Sequence, residues 1–437
     1  MHMIDDVTLT LVVLGILALI IGSISKEKWD YVSISVIGAV VIALLLMFAS
    51  SHPFDPLGAI EFQPLVFIFG MQLAVLVAEK EHMFEYVTIK VIRATKGNQR
   101  VFFYLICTLG TLMAAFIADV TVAILFIPLI IKTCNILDIP AGTYNLGLTI
   151  CINIGSILTP FSSGENIIIS NFFGLGMDFY ASYLLAFSFT ILAITLVLID
   201  IFYIKRERKV HAERKVLLLE LLDANVVILS KKRFYTAVVG LIGMFTCLFI
   251  FQAVPPLVFA LFFGISMLLA TRRHMGKVVR ELEWDVIFFF ASLFVVIGAL
   301  QTLGFIDLLG AGIQLMVGDN VILASLVVLI FSSVMSAFLA NSPTVLIFLP
   351  ILNYLIVDYG FPMTPLAVAL LLGVNLGGNF LPQGAACDMM TLNLSKKYKV
   401  PNFSYKRLLR VGGAFAFLHL GFCCLFVVLF SIPYAVA

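Results

Sequence analysis

Charge is scarce in this chain. Asp, Glu, Lys and Arg make up only 12% of its 437 residues, about half the share of a soluble domain, while 62% are hydrophobic. That poverty excludes an ordinary soluble enzyme, a disordered protein and a nucleic-acid binder. The seven cysteines include no CxxC pair, and no Cys/His cluster has zinc spacing. No HExxH is present, and no histidine stands near the SSG serines or the other serines at membrane depth, so neither a zinc hydrolase nor a serine nucleophile is expected. The cysteines are expected as small core hydrophobes, with the pair Cys423 and Cys424 facing lipid. The start, MHMIDDV, lacks the basic stretch of a signal peptide, so the first apolar segment is expected to be kept. What abounds is phenylalanine, forty in all, which suits a lipid-facing surface. The composition predicts an all-α polytopic membrane protein that is not an enzyme.

A spanning helix needs roughly 17–25 apolar residues. Such runs occur at about 7–23, 31–49, 61–78, 143–173, 179–204, 233–252, 255–270, 284–300, 365–394 and 411–434. Two further blocks, 101–134 and 321–357, carry polar residues at their middles: Asp119 in one, Asn341, Ser342 and Thr344 in the other. Treated as re-entrant hairpins beside about ten transmembrane helices, they send all 27 Lys and Arg to one side, to the segments near 24–30, 79–100, 131–142, 205–232, 271–283 and 395–410 or the adjoining helix ends. The opposite loops hold no Lys or Arg and carry acids, among them Asp55, Asp178, Asp307 and Asp358. The positive-inside rule makes the basic side cytoplasmic and leaves both termini outside, in a multi-pass protein of the cell (inner) membrane. Residues 205–232 read as a basic amphipathic linker between two halves, 1–204 and 233–437.

The two halves match. A single shift along the chain lays MAAFIADVTVAILFIPLI, from Met113, on MSAFLANSPTVLIFLPIL, from Met335. The same shift lays NIGSILTPFSSGENIIISN, from Asn153, on NLGGNFLPQGAACDMMTLN, from Asn375, and Glu61 on Glu283. This one offset holds without a gap from Glu61 to Asn171 and keeps Pro128 on Pro350 and Pro160 on Pro382. Each half has an odd number of spans, so the second copy enters the membrane from the opposite face. Inverted-topology repeats of this kind are a common plan for secondary transporters, with the site at the midplane between repeats.

Polar groups at membrane depth are costly and mark function. They fall in four clusters: Asp119 with Thr121; Thr159, Ser162, Ser163, Glu165 and Asn166; Asn341, Ser342 and Thr344; and Asn379, Gln383, Gly384 and Asp388. Pro160 with Gly164, and Pro382 with Gly384, break their helices. Freed backbone is tolerated in a bilayer only where protein or a water-filled cavity satisfies it. Carbonyl, amide and hydroxyl oxygens suit a hard cation such as Na+, with Asp119, Asn166, Asn341 and Asp388 as candidate ligands. A carboxyl buried without a cation beside it favours its neutral form, which makes Asp119, Glu165 and Asp388 candidate proton carriers. His419 in the last span is expected as a packed core histidine, and Lys132 as a snorkelling hairpin end.

These motifs resemble the ion transporter superfamily, which includes divalent-anion–sodium symporters, citrate transporters, arsenite permeases, NhaD-type sodium–proton antiporters and the melanosomal P protein. AFIADVTVAILFIP and AFLANSPTVLIFLP look like its two hairpin motifs, and NIGSILTPFSSGEN and NLGGNFLPQGAACD like its two broken-helix loops. EWDVIFFFASLFVVIGALQTLGFID looks like its W-D helix with the amphipathic segment that follows. The resemblance implies a scaffold domain and a transport domain, a homodimer, and an elevator mechanism. It places Asp119 and Asn341 at the hairpin tips, and residues 162–166 and 384–388 in the binding loops. Val120 stands where the S-N-T symporters carry a hydroxyl, Glu165 where the loop often carries proline, and Ala118-Asp119 where antiporters and arsenite permeases often read Asp-Asn. The expected function is cation/proton antiport with Na+ or H+ as coupling ion and no other cofactor. Sodium-coupled di- or tricarboxylate symport, arsenite export and, more remotely, an ion channel are the alternatives.

Overall fold

The structure is a computed structural model that describes residues 5–24, 29–50, 52–207, 210–221 and 224–436. All regular structure among them is helical. Eleven of these helices are long and apolar enough to cross a bilayer, and the chain is a multi-pass integral membrane protein.

The helices begin where short polar side chains can cap them. Asp30 accepts from the Val32 amide at 3.1 Å and opens Tyr31–Ala49. Asn98 accepts from the Arg100 amide at 3.1 Å and opens Gln99–Ala114. Its counterpart in the second half, Asn320, accepts from the Leu323 amide at 3.0 Å and opens Val321–Leu339. The offset found in the sequence separates five pairs of helix starts: Phe62 and Trp284, Met83 and Phe305, Gln99 and Val321, Asp119 and Asn341, Gly164 and Ala386.

Two hairpins and two broken helices stand where the polar clusters do. The first hairpin has arms Gln99–Ala114 and Asp119–Leu137, and the second Val321–Leu339 and Asn341–Tyr359. The first broken helix runs Gly142–Gly155 and resumes at Gly164–Phe173. The second runs Met363–Gly377, passes a short turn at Gly378–Phe380, and resumes at Ala386–Lys397. Together with Leu185–Phe202 and Tyr405–Val436 these elements form one packing group. A second group contains Asp6–Ile24, Tyr31–Ala49, Phe62–Lys80, Lys231–Ile250, Pro256–Ala270 and Trp284–Thr302. The two groups cross over the sequence halves: Phe62–Lys80 packs on Pro256–Ala270, and Trp284–Thr302 packs on Tyr31–Ala49.

Three features depart from the sequence reading. Residues 79–100, read as a loop, contain the helix Met83–Ala94, which buries Phe84, Thr88, Ile89 and Ile92. It is too short to span and amphipathic, so a search for long apolar runs passes over it. Cys423 is buried rather than lipid-facing, while Cys424 is half-buried, because neighbouring residues on a helix point about 100° apart. The linker is not one amphipathic helix: its described residues form short turns at Ile204–Arg206 and Ala224–Val227 around a helix at Ala212–Leu221, and residues 208–209 and 222–223 lie outside the described set. His419 is buried, with Nε2 2.8 Å from the Thr195 hydroxyl and no partner for Nδ1 among the described residues. Lys132 is exposed.

Candidate functional site

Four helices start at one place. Asp119, Gly164, Asn341 and Ala386, each the first residue of its helix, line a single cavity of about 500 Å3 between the two packing groups. The proline and glycine breaks make this possible, because they end the preceding helical segment and let the chain restart at membrane depth.

The loops are fastened to the hairpin tips. The Thr159 hydroxyl donates to the Ala115 carbonyl at the first tip. Within the first loop, Ser162 Oγ donates to the Ser156 carbonyl at 2.6 Å, and Ser163 accepts from the Asn166 amide at 3.2 Å as an N-cap. At the second tip one residue, Ala340, joins the two arms with φ 67° and ψ 168°. That backbone region is essentially glycine's and costs an alanine roughly 1–3 kcal/mol. Ser336 Oγ lies 2.6 Å from Asn341 Oδ1 and 2.8 Å from the Val374 carbonyl, holding the strained tip against the second broken helix.

Hydrogen bonds also join the halves. Ser342 Oγ donates to Glu165 Oε1 at 2.6 Å, and Asn375 Nδ2 donates to Asn166 Oδ1 at 2.9 Å. Asn153 Nδ2 donates to Asn379 Oδ1 at 2.7 Å, and Thr149 Oγ1 donates to Asp388 Oδ1 at 2.6 Å. The candidate residues therefore fall in two layers. Asp119, Thr121, Ser162, Ser163, Glu165, Asn341, Ser342 and Gly384 line the cavity. Asn166, Thr344, Asn379 and Asp388 are buried and do not line it. Thr344 donates to the Ala340 carbonyl at 2.9 Å, as a threonine in a helix commonly does. The four residues considered as Na+ ligands are thus divided, with Asp119 and Asn341 on the cavity wall and Asn166 and Asp388 behind it.

The charge of the cavity is one-sided. Glu79, Asp119, Glu165, Glu281 and Glu283 line it, and among the described residues no Lys or Arg does. Beyond its acidic end, Lys80 pairs with Glu281, and Arg273 pairs with Glu81 at 2.7 Å. Sequence reasoning did not name Glu79, Glu281 or Glu283 as site residues, because they sit at helix ends where charge is ordinary. It also passed over Thr149 and Cys387, which surround Asp388. A signal was present: Asn145, Thr149 and Asn153 recur every four residues and share one face of an otherwise apolar helix.

Known proteins share this plan. A family model described as citrate transporter matches residues 3–373. The P protein of Sus scrofa is 24% identical over 432 residues; the match takes in 81% of this chain and 51% of the P protein, so the chain spans about half that relative's length. An uncharacterised transporter of Synechocystis is 23% identical, covering 91% of this chain and 92% of that protein. The crystal structure of the Alcanivorax borkumensis YdaH transporter superposes with a TM-score of 0.63 at 15% identity, over 98% of this chain and 97% of that one, which is a likeness of fold.

Proposed function

The chain belongs to the citrate transporter family, and on that premise we propose that this membrane transporter exchanges Na+ or a similar cation for protons. One observation carries the reading: five acidic side chains line the cavity, and among the described residues no basic one does. At an effective dielectric near 20, two like unit charges about 6 Å apart repel by roughly 3 kcal/mol. A multivalent anion entering alone meets that repulsion several times over, whereas a cation or a proton relieves it. Asp119, Glu165 and Asp388 each stand in the first turn of a helix that begins at the site, and they are the proton-linked groups of this proposal.

Sodium-coupled di- or tricarboxylate symport is the second reading. The helix Asn341–Tyr359 favours it, since that helix meets the cavity with no acid of its own in its first turn and turns its positive dipole end toward it. A proteoliposome assay separates the two. With an imposed pH gradient, Na+, Li+, K+ and Mg2+ are tested first, then succinate, citrate and arsenite. Cation-dependent collapse of the gradient without any organic anion is the expected result. Saturable citrate or succinate uptake that requires Na+ and leaves the gradient intact would move the assignment to symport.

Movement in this proposal is of the elevator type in a homodimer, with the hairpin group carrying the site past the other group. The division of the helices into two packing groups and the constant offset between helix starts support it. Residues 1–204 and 233–437 are then oppositely oriented repeats, and the basic side, with residues 205–232, is cytoplasmic. Single cysteines replacing Asp55 and Glu213, both exposed, should label from opposite sides of a sealed membrane. Labelling of both from one side would refute the arrangement.

A further inference from the structure

We infer that the Asn166 amide fills, with its own N–H groups, the place a coupling cation would take in the first half, so that each chain carries one such cation, in its second half. The inference rests on the cation reading above and adds to it a location and a count.

In the first loop three oxygens surround one nitrogen. Asn166 Nδ2 lies 2.5 Å from the Ser156 carbonyl, 3.0 Å from Ser162 Oγ and 3.3 Å from the Thr159 carbonyl. Carbonyl and hydroxyl oxygens converging in this way are what a hard monovalent cation seeks. The orientation of the amide is set from its other end, where Asn166 Oδ1 accepts from Asn375 Nδ2 at 2.9 Å. Asn166 is completely buried, so these oxygens are satisfied by a neutral group that belongs to the chain.

The second half lacks that group. The offset between the halves carries Ser156, Thr159, Ser162 and Asn166 onto Gly378, Leu381, Gly384 and Asp388. An ionised carboxylate has no proton to donate, and Asp388 Oδ1 is itself an acceptor from Thr149. Oxygens nevertheless crowd together here. A methyl group built on Gly384 would lie 2.7 Å from the Gly378 carbonyl oxygen and 3.1 Å from that of Leu381. One built on Gly378 would lie 3.2 Å from Asn341 Oδ1 and 3.4 Å from the Gly384 carbonyl oxygen. Asn375 Oδ1, in the same half, is buried without a donor among the described residues.

The two halves have in effect exchanged one Asp and one Asn. Asp119 and Asn166 in the first answer to Asn341 and Asp388 in the second. Asp388 Oδ1 lies 3.7 Å from the Cys387 sulfur, whose nearer acceptor is Asn153 Oδ1 at 3.1 Å, and Asp119 lines the cavity together with Gly384 and Ala386 of the second loop.

Equilibrium binding of radioactive Na+ to the purified full-length chain tests this directly. The wild type should bind one Na+ per chain with a Hill coefficient near 1. Asn166→Asp, which installs in the first half what stands in the second, should bind two. Two Na+ per wild-type chain would overturn the inference, and so would a folded Asn166→Asp protein that still binds one. If that variant does not fold, the wild-type count decides alone. Absence of saturable binding of Na+, Li+ and K+ alike would instead refute the cation reading, and this inference with it.

Discussion

Asp119→Asn should abolish pH-dependent cation exchange, lowering its rate by about two orders of magnitude, while the protein still folds and inserts. Asp119 opens the second arm of the first hairpin and lines the cavity. Its Oδ1 accepts from the Val120 amide at 2.8 Å. Asparagine keeps that oxygen and the volume of the side chain, so the local turn survives and only the ionisable group is lost. Glu165→Gln keeps an acceptor for Ser342 in the same way, and Asp388→Asn keeps one for Thr149. Exchange measured in proteoliposomes, with insertion checked by the yield of folded protein in detergent, provides the readout. If all three variants exchange cations at the wild-type rate, these carboxyls do not carry the proton, and the weight moves to anion transport.

Gly377→Val should remove most of the folded protein, and Gly155→Val, at the matching position of the first half, should do the same. Each glycine ends the first segment of a broken helix and lies against the first arm of the neighbouring hairpin. A Cβ at Gly377 would stand 2.5 Å from the Ser333 carbonyl oxygen and 2.6 Å from its Cα. At Gly155 it would stand 2.8 Å from the Ala114 Cβ and closer still to the Thr111 carbonyl oxygen. Backbone cannot swing aside as a side-chain end can, so the helices must separate at the depth where the site is built. Such overpacking costs about 3 kcal/mol, a large part of a marginal stability. Small residues are what allow membrane helices to approach this closely. Thermal unfolding in detergent should show a fall of several degrees or no cooperative transition. An unshifted midpoint in both variants would mean that the hairpins are not held by these contacts.

Much of the architecture was legible before any coordinates. Asp119 and Asn341 were set apart by standing in otherwise apolar blocks, and both prove to be helix starts on one cavity wall. Pro160 and Pro382 announced the broken helices, whose first segments end within a few residues before them. The short helix Met83–Ala94 was missed because its apolar face is interrupted by polar residues at helical spacing. The inward turn of Cys423 was missed because composition does not say which side of a helix faces lipid.

By itself the sequence determined the membrane class, the position of the spans, the two hairpins and the constant offset between the halves. Hydropathy, helix caps and proline breaks act within a few residues of where they stand, so they can be read along the chain. Tertiary structure alone decided which polar groups meet. The contacts of Glu165 with Ser342, Asn166 with Asn375 and Thr149 with Asp388 join residues 177, 209 and 239 positions apart. Packing also turned the Asn166 amide onto the first loop's oxygens and brought Asn153 of the first half to Cys387 beside Asp388. Such meetings depend on how each helix rotates about its axis when it packs, and local propensity carries no record of that rotation.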